Sequence, residues 1–85
     1  MQQSLEKIGR WSGDKTYQIH LLSGSSFSIE IYEVLKFDKP FEGYSFCEAL
    51  ELRACFEYKS AVSAKSAFYR FLRVGVPKSL QTYIF

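Results

Sequence analysis

Residues 15–33 have the sequence KTYQIHLLSGSSFSIEIYE, and this stretch decides the fold. Apolar and polar residues alternate on both sides of a Ser-Gly-Ser turn, a pattern typical of a β-hairpin with one buried face. The apolar positions of the two strands are odd-numbered: Tyr17, Ile19 and Leu21, then Phe27, Ile29 and Ile31. For all of them to share one face, the connection must have an odd number of residues. We therefore predict a three-residue loop centred on Gly24, with Leu21 opposite Phe27 and Ile19 opposite Ile29.

The segments on either side of the hairpin extend the predicted sheet. Ser12-Gly13-Asp14 is typical of a turn that leads into the Lys15 strand. Before it, residues 5–11 are compatible with an additional strand, and a short helix over residues 3–8 is the alternative. After the hairpin, Leu35 and Phe37 keep the odd-numbered apolar phase, which indicates that the second strand continues to residue 37.

Residues 45–59 fit two structures. As a strand, five alternating positions (Leu50, Leu52, Ala54, Phe56 and Tyr58) share one face. As a helix, Ser45 followed by Glu48 forms a capping box. The five alternations favour a strand over residues 48–58.

Residues 60–74 are predicted to form an amphipathic helix. Seven apolar side chains fall within an arc of about 160° when the residues are placed at helical spacing: Ala61, Ala64, Ala67, Phe68, Phe71, Leu72 and Val74. Ser60 is a suitable N-cap, Gly75 is a suitable residue after the last turn, and Pro77 follows where helices commonly end.

These elements predict an α+β fold: an antiparallel β-sheet of three to five strands, with one amphipathic helix (about residues 60–74) packed on one face. The 85 residues are expected to form a single domain over residues 1–85. Residues 80–85 have strand propensity and are predicted to form an edge strand, with a hydrophobic plug for another chain as the alternative. An unpaired edge there would permit a homodimer through the sheet edge.

Several classes of protein are disfavoured by composition and motifs. Cys47 and Cys55 would lie roughly 26 Å apart in one strand, too far for a disulfide, which indicates reduced thiols in a cytoplasmic protein. A zinc site of His20, Cys47 and Cys55 would lack a fourth ligand, so no metal or other cofactor is predicted. No apolar run is long enough to span a membrane, and no signal peptide is visible. With a single His and no catalytic motif, we expect no enzyme.

Charge is distributed unevenly along the chain. Residues 1–57 hold six basic and nine acidic residues, a net −3, whereas residues 58–85 hold five basic and no acidic residues. Lys65, Arg70 and Arg73 fall on one side of the predicted helix together with Tyr69, a combination suited to phosphates or to an acidic protein surface. Our candidate partner-binding residues are Lys65, Tyr69, Arg70, Arg73, Lys59 and Lys78. A second candidate surface is the polar face of the hairpin, which contains Gln18, His20, Glu30 and Tyr32.

Two functions are compatible with this pattern. The first is a small non-catalytic protein-binding domain that regulates or inhibits a larger macromolecular assembly by occupying a surface, as anti-CRISPR and anti-restriction proteins of phages and mobile elements do. The net charge of +2 argues against mimicry of nucleic acid by such an inhibitor. The alternative is a nucleic-acid-binding domain that uses the basic face of the 60–74 helix. The feature that distinguishes the two functions is whether the basic face is continuous with Lys59 and Lys78 or is interrupted by Glu48, Glu51 or Glu57.

Overall fold

The computed structural model describes residues 4–37 and 47–82, and these form one antiparallel sheet with a helix packed against it. The strands are β1 (Ser4–Ser12), β2 (Thr16–Ser23), β3 (Phe27–Phe37) and β4 (Cys47–Tyr58), and the helices are α1 (Ala61–Val74) and α2 (Lys78–Gln81). The spatial order of the strands is β1-β2-β3-β4, so each strand pairs with its neighbour in sequence. The predicted α+β class is confirmed, and the sheet has four strands.

The hairpin of β2 and β3 has the predicted loop length but a different register. Ser23 pairs with Phe27, which leaves the three residues 24–26 in the loop and centres it on Ser25. Leu21 therefore lies opposite Ile29, so the pairing of Leu21 with Phe27 was wrong by two residues. A shift of two keeps every side chain on its predicted face, because side chains alternate with a period of two. Both registers therefore keep the same apolar residues on the buried face.

The strand prediction for residues 48–58 is confirmed, but the single apolar face was wrong. Ile31 pairs with Ala54, whereas Tyr32 pairs with Leu52, so Arg53 is an extra residue in β4. A bulge of this kind reverses the alternation on one side of it. Ala54 therefore faces the helix, while Leu52 and Leu50 face the opposite side of the sheet. At this bulge, Arg53 Nε donates a hydrogen bond to Glu33 Oε1 at 3.0 Å.

Helix α1 begins and ends where the sequence predicts. The Ser60 hydroxyl accepts a hydrogen bond from the Ser63 backbone N–H, and Gly75 follows the last turn with a φ of 87°. Ala64, Phe68 and Phe71 are buried against the helix-facing side of the sheet, where Tyr17, Ile19, Leu21, Ile29 and Ile31 form the rest of the core with Ala54 and Val76. Val74 was predicted on the apolar face but is 69% exposed, because it lies on the last turn beyond the edge of the core.

Two glycines allow α1 to approach the sheet. A Cβ added to Gly9 would lie 2.2 Å from Leu72 Cδ2, so the absence of a side chain in β1 makes room for the helix. A Cβ added to Gly75 would lie 2.9 Å from Trp11 Nε1. The helix therefore packs closely along β1 at both Leu72 and Gly75. Of the two structures that the sequence left open for this segment, the strand is observed over Ser4–Ser12, and the alternative helix across residues 3–8 is wrong.

The last described segment differs from the prediction. Leu80 and Gln81 belong to α2, a single turn whose backbone N–H groups donate to the Pro77 carbonyl, so a strand that starts at Leu80 is wrong. Pro77 favours this turn because its φ is already fixed near helical values. The Gln81 side chain also donates to the Val76 carbonyl at 2.8 Å. The remaining part of the predicted edge strand, residues 83–85, lies outside the described residues.

Candidate functional site

The outer face of α1 holds four of the six predicted partner-binding residues. Lys65, Tyr69, Arg70 and Arg73 are all exposed, and the Tyr69 ring retains 47% of its accessible surface. Lys65, Tyr69 and Arg73 follow one another at four-residue spacing, and Arg70 lies three residues before Arg73, so the four share one side of the helix. We call this set the helix face.

Strand β1 adds a fifth member that the sequence analysis missed. The Lys7 ammonium donates a hydrogen bond to the Tyr69 hydroxyl and lies 5.0 Å from the centroid of its ring. The edge of the Phe68 ring meets the ring of Tyr69, with centroids 5.4 Å apart. Tyr69 is thus held between the core and a cation. Lys7 is separated from Tyr69 by 62 residues in sequence, and the contact between them requires the docking of α1 against β1.

Lys59 and Lys78 are exposed but lie at opposite ends of α1. Lys59 precedes the N-cap Ser60, and Lys78 begins α2 after the chain has left the helix. The 14 residues of α1 span about 21 Å, so these two lysines bracket the helix face and do not join its centre.

The acidic residues named as possible interruptions lie elsewhere or are paired. The alternation of β4 places Glu57 and Glu48 on the side of the sheet away from α1, and Lys36 Nζ is 4.0 Å from Glu48 Oε1. Glu51 faces the helix side, but its carboxylate is 3.2 Å from Arg53 NH1. The Arg53 guanidinium also reaches Glu33 at 2.9 Å. These pairings leave the positive charge of the helix face uncompensated by these carboxylates.

Exposed apolar side chains accompany the charges on α1. Val62 is 76% exposed and Val74 is 69% exposed, at the first and last turns of the helix. Val62 lies seven residues before Tyr69, which places both near the same line along the helix. The helix face therefore presents both cations and apolar groups to solvent.

A second feature is a cavity of about 360 Å³ at the end of the sheet near the β1–β2 turn. It is lined by Trp11, Gly13, Asp14, Lys15, Tyr17 and Gln81. The rings of Trp11 and Tyr17 stack there with centroids 5.0 Å apart. Burial raises the pKa of the Tyr17 phenol, and the negative charge of Glu33 raises it further. The phenol is accordingly neutral at physiological pH and contributes no charge to the cavity.

The polar face of the hairpin lies on the side of the sheet away from α1, as its parity predicts. The His20 Nε2 is 3.0 Å from Gln18 Oε1, and its ring centroid is 4.6 Å from that of Tyr32. Burial lowers the pKa of the His20 imidazole, although Glu30 in the neighbouring strand acts in the opposite direction. The Tyr32 hydroxyl donates to Glu30 Oε1 at 2.9 Å. These contacts leave His20 predominantly neutral near pH 7.

Cys55 lies on this same side of the sheet and is exposed. Desolvation raises the pKa of its thiol, and the charges of Glu30 and Glu57 raise it further. A nucleophilic or metal-binding cysteine needs the thiolate, which this environment disfavours. His20 and Cys55 both neighbour Glu30 on opposite sides, so they lie two strands, or about 10 Å, apart. Over residues 4–37 and 47–82, no group of three or more His, Cys, Asp or Glu residues is placed to hold a metal ion.

The described elements define a small α+β protein with an open antiparallel sheet that a single helix covers on one side. Comparison with known protein families, with curated proteins and with solved structures found no match. Within the described part of the chain, neither helix has the length and apolar character needed to cross a membrane.

Proposed function

We propose that this protein is a non-catalytic binding module that regulates or inhibits a larger assembly by occupying an acidic surface on one of its protein components. The helix face supplies the contact, with Lys7, Tyr69, Arg70 and Arg73 at its centre. The proposed site of action is the cytoplasm. The placement of Cys47 and Cys55 in one strand supports this, because eight residues of extended chain prevent a bridge between them.

The observation that supports a protein partner is the mixture of apolar and cationic groups on α1. Tyr and Arg are the residue types enriched where binding energy concentrates in protein interfaces. The exposed side chains of Val62 and Tyr69 would lose water against a protein surface, a gain that a phosphate backbone does not offer. An acidic partner with an apolar centre would satisfy both kinds of group at once.

A nucleic-acid partner is the second candidate, and one observation favours it. Glu48 and Glu57 lie on the opposite side of the sheet, and Glu51 is paired with Arg53, so none of these three carboxylates interrupts the basic face. Phosphate groups could then approach Lys65, Arg70 and Arg73 along the helix, with Tyr69 available to stack on a base.

The test separates the two partners with matched variants. Fluorescence anisotropy with single- and double-stranded DNA and RNA, at about 50 and 200 mM salt, would compare the wild type with Arg70→Glu/Arg73→Glu. The control is Arg10→Glu/Lys36→Glu, which makes the same change in net charge on the other side of the sheet. Binding that weakens steeply with salt and is lost only in the helix variant would establish the nucleic-acid function and refute the protein-binding proposal.

A photo-crosslinker placed at Tyr69 then tests the protein partner directly. We expect a single adduct in cells, lost in Arg70→Glu/Arg73→Glu and in Val62→Asp but retained in Arg10→Glu/Lys36→Glu. An adduct that persists in both helix variants would show that the helix face is not the contact.

A further inference from the structure

The side of the sheet opposite α1, which we call the open face, exposes large apolar side chains on both of its edge strands. Leu5 and Ile8 of β1 are 50% and 54% exposed, and Leu50 and Leu52 of β4 are 45% and 51% exposed. These four residues lie outside the core, and α1 does not reach them. Exposed apolar groups gathered on one face commonly mark an interaction surface.

The strand register places these residues at two diagonally opposite corners. At one corner Leu5 lies opposite Leu22, and Ile8 is the next residue on the same face of β1. At the other corner Leu50 lies opposite Val34, which is itself only 7% exposed, and Leu52 lies opposite the half-buried Tyr32. The rings of His20 and Tyr32, tilted by 38° to each other, lie between the corners. The result is an apolar and aromatic band that crosses the open face diagonally.

The two remaining corners carry opposite charges. Arg10 lies beside Gln18 at the β1 side. Glu30 lies opposite Cys55 at the β4 side, and Glu57 is the next residue on the same face of β4. The open face is thus divided by the apolar band into a basic corner and an acidic corner.

We propose that the open face binds a second copy of this chain in a symmetric dimer whose twofold axis runs along the apolar band. Rotation about that axis places the band of one protomer on the band of its partner, so that apolar groups meet apolar groups. The same rotation exchanges the charged corners. With strands about 4.8 Å apart and same-face residues about 6.8 Å apart, Arg10 comes to lie over the space between Glu30 and Glu57 of the other copy.

A twofold axis requires a surface that complements itself, and the open face meets this requirement in both polarity and charge. The other three simple directions for the axis do not give such a match. An axis along the strands or across them sets Leu5 against the polar residues Glu57 or Ser12, and an axis along the charged diagonal sets acidic residues on acidic ones. When the axis runs along the apolar band, the strands of the two sheets cross at about 70°, which is close to the orthogonal class of sheet packing.

The size of the face sets the expected strength. Four strands and four same-face rows cover about 500 Å² per protomer, or about 1,000 Å² in total, which is near the lower limit for specific interfaces. We therefore expect a dimer with a dissociation constant in the micromolar range, observable by sedimentation velocity between about 1 and 200 µM.

Variants in the apolar band test the interface. Leu52→Glu should raise the dissociation constant at least tenfold, whereas Val62→Glu, the same kind of change on the exposed side of α1, should leave it unchanged. Circular dichroism checks that both variants are folded. A wild type that stays monomeric at 200 µM, or equal effects of the two substitutions, would overturn the proposal.

A charge exchange tests the orientation. Arg10→Glu and Glu57→Arg should each weaken the dimer, and the double variant should recover most of the affinity because each new charge again meets its opposite. Two single effects that simply add in the double variant would overturn the diagonal axis.

Single cysteines introduced into a Cys47→Ser/Cys55→Ser background give a measurement that does not depend on destabilising the interface. Leu50→Cys lies on the proposed axis, opposite its own copy across the roughly 10 Å between two packed sheets, and should be joined to that copy by a short bifunctional thiol-reactive cross-linker. Glu57→Cys lies more than about 20 Å from its copy and should remain monomeric. Cross-linking at Glu57→Cys and not at Leu50→Cys would indicate an edge-to-edge dimer and refute the face-to-face arrangement.

Discussion

Gly9→Ala should destabilise the protein by steric overlap with Leu72. The added Cβ would lie 2.2 Å from Leu72 Cδ2 and 2.7 Å from Cδ1, both far inside van der Waals contact. Either the leucine must leave its rotamer or α1 must move away from β1, and overpacking of this kind costs typically 1–3 kcal/mol. Alanine loses less backbone entropy than glycine when the strand folds, which offsets up to about 1 kcal/mol of this cost. We therefore expect a net loss of about 1–2 kcal/mol and a melting temperature lowered by roughly 5–15 °C.

Urea denaturation of two further variants isolates the cause. Gly13→Ala is the control, because no atom lies within 4 Å of its added Cβ, and it should change stability by less than about 0.5 kcal/mol. In a double-mutant cycle, Gly9→Ala should cost much less when Leu72 is already alanine. If Gly9→Ala is neutral, or if its cost is the same with and without the leucine side chain, the close approach of α1 to β1 does not determine stability.

Two other substitutions probe the core and the open face. Phe68→Ala should cost about 3–5 kcal/mol in urea denaturation, since the ring is 1% exposed at the centre of the core; a loss below 1 kcal/mol would contradict its assignment as an anchor. His20→Gln should make stability less sensitive to acid. Because burial lowers the pKa of His20 in the folded protein, the unfolded chain binds more protons as the pH falls below about 6.5, and this destabilises the wild type. Between pH 7.5 and 5, the wild type should therefore lose more stability than His20→Gln when both are measured at low protein concentration. If the stability of the two proteins changes equally with pH, the pKa of His20 is not lowered by folding.

The sequence was sufficient for features that depend on local patterns. The alternation across residues 15–33, the cap at Ser60 and the glycine at position 75 each have a local physical cause, and the structure confirms all three. The register of the hairpin was wrong by two residues because parity alone does not distinguish pairings that differ by two. The choice between them depends on contacts along the full length of both strands, which includes the pairing of Tyr17 with Glu33.

Features that depend on contacts distant in sequence were not predicted. The bulge at Arg53 coincides with its bonds to Glu33, 20 residues earlier in the chain. Because the bulge was not predicted, the sequence analysis placed Leu50 and Leu52 on the same face as Ala54. The apolar band of the open face was therefore invisible to periodicity, which assumes an uninterrupted strand. Lys7 was missed for the same reason, since its contact with Tyr69 requires the docking of α1 on β1.

The bulge also connects the two proposed surfaces. By turning Leu50 and Leu52 away from α1, it adds apolar area to the open face, and it leaves Arg53 on the helix side to neutralise Glu51 and Glu33. A regular β4 would return the leucines to the core side and place Arg53 and Glu51 on the open face. One extra residue thus separates a basic side, suited to an acidic partner, from a self-complementary side. Because different residues form the two surfaces, a dimer paired through its open faces would still present two copies of the helix face to partners.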